Sequence, residues 1–401
     1  MIKRKGLVIL LATMLVISSL TGCKKADNNE QSKAENSSKV ESSQVESSKV
    51  ENEEKAKFSI DHAEQFDIEY MDNNVKLVTD SEKRKLLLVP NDVEIPTGYE
   101  DAKLIRTPLS KVLYSSTTNI GFLKTFQNDS IYDSIGAVTT DVSSWKIPQI
   151  VERMESGKIK YISQENGTAG NIEQITDLKP DFVFSNGGDQ MGADLRAQLD
   201  EVGINYFVET SWLEKDNAAS LEWIKLFGAF YNLDQEATDI YNKKIARMAE
   251  LDEMVKSASK ENAPVVAYGM LFDGVVYTKG GSSKTAKEIE KIGGVYALKD
   301  LEGEDSIQIN MEEFFAKAKD ADILIYSSQE QYTPSKEALL ALDPLMGELK
   351  AFKNDKIYVF DDEYYMNSAA SDEKFEDYVA IIQPELLSGH TLKHYVKLAD
   401  K

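Results

Sequence analysis

The sequence predicts an α/β fold in which two Rossmann-like α/β lobes are joined by a long inter-lobe helix. Short apolar runs alternate with helix-period patterns between Lys111 and Val208, and do so again from Pro264 onward. Such alternation builds parallel sheets with helices on their faces. Between the two blocks, Ala237, Ile240, Tyr241, Lys244, Ile245, Met248, Leu251 and Val255 keep i, i+3/i+4 spacing within the helical stretch Ala218–Ser257. A chain of 401 residues is long enough for about two domains, and 42% hydrophobic residues suffice for real cores.

The chain opens with Lys3, Arg4 and Lys5 ahead of an apolar run from Leu7 to Leu20. The run ends in Leu20-Thr21-Gly22-Cys23, which contains the only cysteine. A charged start, an apolar centre and small residues before a cleavage point mark residues 1–22 as a signal peptide. The pattern resembles a bacterial lipobox, in which Cys23 is acylated and becomes the first residue. An ordinary signal peptide ending near a cysteine is the alternative. At ~0.8 kcal/mol per buried CH₂, several acyl chains anchor a protein essentially permanently. The apolar run is too short to span a bilayer, and no later stretch approaches the ~20 apolar residues required. With Cys23 carrying lipid, no disulfide within the chain is expected.

Residues 23–57 read as a disordered tether. There Ser37-Ser38-Lys39-Val40-Glu41 recurs as Ser42-Ser43-Gln44-Val45-Glu46 and Ser47-Ser48-Lys49-Val50-Glu51. Polar repeats of this kind bury too little to offset chain entropy. Globular sequence starts near Phe58. Phe66, Ile68 and Tyr70 alternate, Asp72-Asn73-Asn74 has turn chemistry, and Val75–Val78 and Lys85–Val89 continue a hairpin and third strand. Strands of the first lobe are predicted at Val112–Tyr114, Lys160–Ile162, Asp181–Phe184 and Ile204–Val208, with helices at Asn171–Leu178 and Asp194–Val202. The second lobe is predicted to have strands at Val265–Met270, Ile307–Ile309, Ile323–Tyr326 and Lys356–Phe360. Its helices fall at Ser283–Ile292, Met311–Ala318 and Ser335–Leu342. Domain limits follow as 58–217 for the N-terminal lobe with its added hairpin, 218–258 for the connecting helix, and 262–401 for the C-terminal lobe. Asn232-Leu233-Asp234 interrupts the helix, with Asp234 capping its second part.

A net charge of −22 argues against nucleic acid and against contact of the protein itself with anionic lipid heads. Three further segments carry a resemblance. They are Asn171-Ile172-Glu173-Gln174-Ile175 with Leu178-Lys179-Pro180-Asp181-Phe182-Val183-Phe184, then Glu222-Trp223-Ile224-Lys225-Leu226-Phe227-Gly228, and Asn310-Met311-Glu312-Glu313-Phe314 with Ala321-Asp322-Ile323-Leu324-Ile325. In this order, over residues 105–390, the chain resembles the helical-backbone (class III) substrate-binding lipoproteins of ABC importers, of the iron–siderophore, haem and cobalamin type. The resemblance implies an extracytoplasmic, lipid-anchored protein with a ligand cleft between its lobes, delivering solute to a permease and its ATPase. It implies no cofactor and no catalysis, the cargo being a metal chelate such as a ferric siderophore or a corrinoid. A single crossing helix would limit opening, leaving the cleft largely pre-formed. One glutamate per lobe would dock on permease arginines; the matching positions are Glu173 and Glu312. Both open short helices, where a carboxylate also favours the positive end of the helix dipole.

Clefts of parallel α/β folds form beyond the carboxyl ends of strands. That rule nominates Trp145, Gln164, Asn166, Asn186, Trp212, Met270, Phe272, Tyr364 and Tyr365 as ligand-binding residues, with Tyr332 nearby. Aromatic faces supply contact area at low entropic cost, although each could instead pack in a lobe core. The six arginines all fall outside these loops, Lys279 and Lys284 sit nearby, and Glu165, Asp189, Asp273, Asp361, Asp362 and Glu363 fall in or beside them. This charge pattern predicts a neutral or cationic chelate, or else a plain solvated surface. His390 and His394 have i, i+4 spacing but no third ligand, so no metal site is expected; tyrosine ligation of a haem stays open. Gly280-Gly281-Ser282-Ser283-Lys284-Thr285 misses phosphate-loop spacing and reads as a turn into a helix. Two other classes remain from sequence: an exported hydrolase using Asp361 and Asp362, and a sensor presenting its lobes to a receptor.

Overall fold

The computed structural model describes residues 58–164, 169–256, 263–304 and 306–399. The expected signal peptide, Cys23, the tether, Glu165 and Asn166 lie outside the described residues. Strands β1 (Asp67–Tyr70), β2 (Lys76–Thr79), β3 (Lys85–Pro90) and β4 (Lys103–Thr107) form a four-stranded sheet in that order. The first three strands run antiparallel and β4 joins parallel to β3.

The N-terminal lobe follows. Its sheet contains β5 (Val112–Tyr114), β6 (Ile135–Val138), β7 (Lys160–Tyr161), β8 (Phe182–Asn186) and β9 (Tyr206–Glu209), ordered β7-β6-β5-β8-β9. All pairs are parallel, as the alternation requires. The crossovers hold α1 (Thr117–Leu123), α2 (Asp129–Asp133), α3 (Pro148–Glu155), α4 (Ile172–Leu178) and α5 (Gln190–Val202). Strand β6 was not expected: its Ile-Gly-Ala-Val is short and has a glycine inside. Gly136 is used for close approach, because a Cβ there would lie 2.9 Å from the Lys111 side chain.

The predicted connecting helix is two helices with different tasks. Helix α6 (Asn217–Phe230) is a core helix of the N-terminal lobe, buried from Ala219 to Phe230. It ends where Asn232 adopts φ 58°, a left-handed conformation that asparagine tolerates. Only α7 (Asp234–Lys256) crosses. Its Ala237, Tyr241 and Met248 belong to the core of the N-terminal lobe, whereas Leu251 and Val255 belong to the core of the C-terminal lobe.

The C-terminal lobe has a seven-stranded mixed sheet. Strands β10 (Val265–Phe272), β11 (Val275–Lys279), β12 (Val295–Tyr296), β13 (Ser306–Ile309), β14 (Ile323–Gln329), β15 (Ile357–Phe360) and β16 (Tyr395–Lys397) are ordered β13-β11-β10-β14-β15-β16, with β12 on β10. Helices α8 (Lys284–Lys291), α9 (Met311–Ala318), α10 (Lys336–Leu342), α11 (Lys350–Lys353) and α12 (Ser371–Ile382) complete it. Among the described residues, no helix is long and apolar enough to cross a membrane.

The N-terminal four-stranded sheet is not a detached addition. Ile68, Val78, Leu86, Leu88 and Ile105 share one core with Trp223, Phe227 and Phe230 of α6. Two α6-side carboxylates clasp the chain ahead of β1. Glu222 accepts the backbone N–H groups of Asp61, His62 and Ala63 at 3.0, 2.7 and 2.8 Å. Glu214 accepts those of Glu64 and Gln65, and the Trp223 indole N–H at 2.9 Å. From β2, the fully buried Lys76 pairs with Asp234 at 2.9 Å, pinning the α6–α7 turn. Removing one partner of a buried pair costs about 3–5 kcal/mol. Lys76→Met is therefore expected to lower unfolding free energy by about that much, and Lys76→Met with Asp234→Leu by clearly less. Urea denaturation checks this; equal losses would show that the pair is not what fixes the turn.

Candidate functional site

A cavity of about 320 Å³ lies between the lobes. The N-terminal lobe contributes Thr118 and Phe122 of α1, Ser211 and Trp212 after β9, and Asn217 and Ser220 of α6. The C-terminal lobe contributes tyrosines and lysines: Tyr268 on β10, Lys279 ending β11, Lys284 and Glu288 on α8, Tyr364 and Tyr365 after β15, Lys374 and Tyr378 on α12, and Tyr395 on β16.

The tyrosines form one packed group. Tyr364 stacks on Phe360 with ring centres 3.9 Å apart, and its hydroxyl lies 3.1 Å from that of Tyr395. Burial pushes the hydroxyls of Tyr364, Tyr378 and Tyr395 well above the usual phenol range, so they remain protonated donors. Tyr365 and Trp212 stay about half exposed at the opening. The Trp212 indole overlies Gly188, where an added Cβ would lie 2.4 Å from the ring. Opposite it, α8 starts after Gly280 and Gly281. A Cβ at either would stand 1.9 or 2.0 Å from the carbonyl of Gly303 or Lys299, which explains the glycine pair as backbone packing.

Two lysines face this space. Lys284 donates to the Ser220 hydroxyl at 3.0 Å, and Lys374 to the Tyr364 carbonyl at 2.9 Å, with its ammonium 4.0 Å above the Tyr364 ring. Burial lowers both pKa values. That of Lys374 falls to about 7, with Asp361 opposing the shift and Lys284 adding to it. Burial likewise holds the Glu288 carboxyl above its ordinary range, and among the described residues its Oε1 has no hydrogen-bond partner.

The lobes also touch directly beside the cavity. Ser368 donates to the Thr118 carbonyl at 2.8 Å, and Lys124, just after α1, meets Glu363 and Asn367 at 3.0 Å. Gly121 makes room for that contact, since a Cβ there would lie 2.6 Å from the Ser368 hydroxyl. On the other side, Lys244 of α7 pairs with Asp372 of α12 at 2.9 Å, and Arg247 with Glu376.

Of the residues nominated from sequence, the structure brings Trp212, Tyr364 and Tyr365 to the cavity. Trp145 is instead buried in the N-terminal core, donating to the Thr140 carbonyl at 3.1 Å. Gln164 is exposed and does not line the cavity, and Asn166 is outside the described residues. Asn186 bonds Asp189, while its carbonyl takes Arg196. Met270 packs against the C-terminal core. Phe272 is carried out to 64% exposure, because β10 does not end in a cleft loop but turns through Asp273 and Gly274 into β11. Tyr332 is exposed as well. Glu173 and Glu312 are exposed in the first turns of α4 and α9, which Asn171 and Asn310 cap.

Among the described residues, the loop acids behind the expectation of a neutral or cationic ligand (Asp189, Asp273, Asp361, Asp362 and Glu363) do not line the cavity, and Glu165 lies outside the described residues. Asp189 caps α5, Asp273 occupies the β10–β11 turn, Asp362 accepts the Gln331 N–H, and Glu363 bridges to Lys124. His390 lies 2.6 Å from Asp377 and His394 beside Glu373, so both are engaged with acids of α12. Sequence reasoning missed Lys374, Glu288, Tyr268, Tyr378 and Tyr395. Phe375, Tyr378, Val379 and Ile382 do keep helical spacing, which would have placed α12 and hence Lys374.

Residues 128–364 match the family of periplasmic binding proteins. The chain belongs to this family. An uncharacterised lipoprotein of Methanocaldococcus jannaschii is 27% identical over 420 residues, spanning 98% of this chain and 96% of its own. An ABC transporter substrate-binding protein from Listeria monocytogenes EGD-e superposes with TM-score 0.51 at 17% identity, covering 69% of this chain and 99% of its own. The periplasmic haem-binding protein RhuT from Roseiflexus sp. RS-1 does so with TM-score 0.52 at 13% identity, covering 69% and 99%. The two superpositions establish the two-lobe periplasmic-binding-protein fold. Members of this family bind solutes rather than transform them, so the protein is a solute-binding protein and not an enzyme. Proteins of this type work with ABC transporter permeases.

Lys374 provides a pH signature of the cavity. Its folded pKa lies below the ordinary 10.5, so the unfolded chain holds the extra proton between about 7 and 10.5. Stability should then rise with pH across that window. Lys374→Met is expected to flatten that rise in thermal melts taken from pH 7 to 10; an unchanged slope would contradict an enclosed lysine.

Proposed function

We propose that the protein is anchored through Cys23 to the outer face of the cell membrane, captures a bulky metal chelate of the iron–siderophore or corrinoid type, and delivers it to an ABC importer permease. The observation that carries this reading is the enclosed tyrosine-rich wall facing Trp212 across the gap between the lobes. Flat aromatic faces suit large rigid solutes, and a haem-binding protein shares the fold. At about 320 Å³ the cavity is at the small end for a ligand site. The bulk of such a chelate would extend to the opening, against the half-exposed Trp212 and Tyr365. Glu173 and Glu312, one on each lobe and both free of the cavity, are the proposed contacts with permease arginines, for which charge-assisted pairing is well suited. The relative named as a lipoprotein supports the anchor at Cys23.

The purified chain is expected to show a visible chromophore or to lose tryptophan fluorescence on titration with ferric siderophores, haem or corrinoids, because Trp212 faces the ligand. Flat titrations with all three would sink the chelate reading. In cells, Glu173→Ala with Glu312→Ala is expected to abolish uptake while leaving solute affinity intact; uptake at the parental rate would refute the docking assignment.

A further inference from the structure

Most enclosed lysines in this chain have an acid. Lys76 pairs with Asp234 at 2.9 Å, Lys225 with Glu222 at 2.8 Å, and Lys244 with Asp372 at 2.9 Å. The two that face the inter-lobe cavity differ. Among the described residues, neither Lys284 nor Lys374 has a carboxylate oxygen within 4.0 Å, although the chain carries 68 acids against 46 lysines and arginines. Their direct partners are neutral: a serine hydroxyl for one, a carbonyl and a phenol ring for the other. Each ammonium therefore keeps donors that no acceptor among the described residues uses, since it has three.

The nearby acids do not supply the missing charge. Glu288 lies one turn beyond Lys284 on α8 and faces the same cavity, but forms no ion pair with it and is pushed by burial toward its protonated form. Asp361, whose field reaches Lys374, is pushed the same way. Holding a cation partly out of water without a counter-charge is costly. The cavity holds two such partly buried amines, and an anion entering between them would stabilise the charged form of both.

We propose that the solute presents an anionic oxygen group, such as a carboxylate, phenolate or phosphate, which lies between Lys284 and Lys374 and accepts hydrogen bonds from both. This deepens the reading of the cavity as the solute site. It replaces the neutral or cationic ligand that the acidic loops suggested. The tyrosine wall would then hold the apolar body of the solute, and the two lysines its charged edge.

The test is calorimetric titration of the full chain with ferric citrate, neutral ferrichrome and cationic ferrioxamine B, with citrate and inorganic phosphate as metal-free arms. The anionic chelate is expected to bind at least tenfold more tightly than the other two, the advantage conferred by one charge-assisted hydrogen bond. Lys284→Gln and Lys374→Gln should each erase about tenfold of that preference, Lys374→Arg should keep it, and circular dichroism shows whether each variant is folded. Equal or tighter binding of ferrichrome or ferrioxamine B, or anion binding indifferent to both glutamine variants, would overturn the inference and leave the chelate reading standing. Lysine-dependent binding of free citrate or phosphate with no chelate bound would uphold the inference and defeat the chelate reading. If no anion binds, chelated or free, the inference is wrong.

Discussion

Because α7 is built into two hydrophobic cores, the lobes cannot move far apart without exposing apolar surface. The helix packs with Ala237, Tyr241 and Met248 against the N-terminal lobe, and its last turns pack with Leu251 and Val255 against the C-terminal lobe. At roughly 25 cal/mol per Å² of apolar surface, tearing either part away would cost several kcal/mol. The helix is also clamped at intervals along its length, by Lys76 on Asp234 near its start and by α12 on Lys244 and Arg247 farther along. On the far side of the cavity, α1 and the residue just after it meet the segment 363–368 through Ser368 and Lys124. The gap between the lobes is thus held from both sides. Its shape is set by packing before any solute arrives, which suits a rigid cargo more than a flexible one.

The N-terminal sheet takes its meaning from the same constraint. Its inner face enlarges the core around α6, and the clasp of Glu214 and Glu222 on residues 61–65 ties the start of the globular chain to that helix. Lys76 then reaches the junction from which α7 departs. A family member with the two lobes alone would leave the α6–α7 turn to its own chemistry; here a further sheet holds it. Hydrogen bonds to a charged carboxylate contribute about 1.5–3 kcal/mol each, so the clasp is stronger than its few residues suggest.

Much of this was legible in the chain. The strands around Val112, Phe182, Tyr206, Val265, Ile323 and Ile357 follow from short apolar runs, and Asn171 and Asn310 mark the starts of α4 and α9 as caps do. The aromatics at Trp212, Tyr364 and Tyr365 follow from the rule that clefts lie beyond strand ends. The same rule also misled. It assumes that the site is built by loops, whereas Lys284, Glu288, Lys374 and Tyr378 reach the cavity from the faces of α8 and α12. Asp273-Gly274 between apolar runs is a hairpin signal, and reading it as one would have removed Met270 and Phe272 from the candidates. Trp145 could not be assigned from its neighbours, since a tryptophan in a loop serves a core or a cleft equally well. The loop acids looked like ligand-facing charge because sequence does not show that Asp189, Asp362 and Glu363 are occupied by a cap, a backbone amide and a cross-lobe lysine.

Built this way, the two lobes form a nearly fixed gap. That fixity is tested most directly by pulsed electron-spin distance measurement between labels at Asp177→Cys and Asp320→Cys, both exposed and one on each lobe, in a chain with Cys23 replaced by serine. A single narrow distance distribution, unchanged in width and moved no farther than the labels' own spread when a solute is added, is the result expected. A second, longer population in the free protein that collapses on binding would mean that α7 is a hinge, and that the cavity is made by closure.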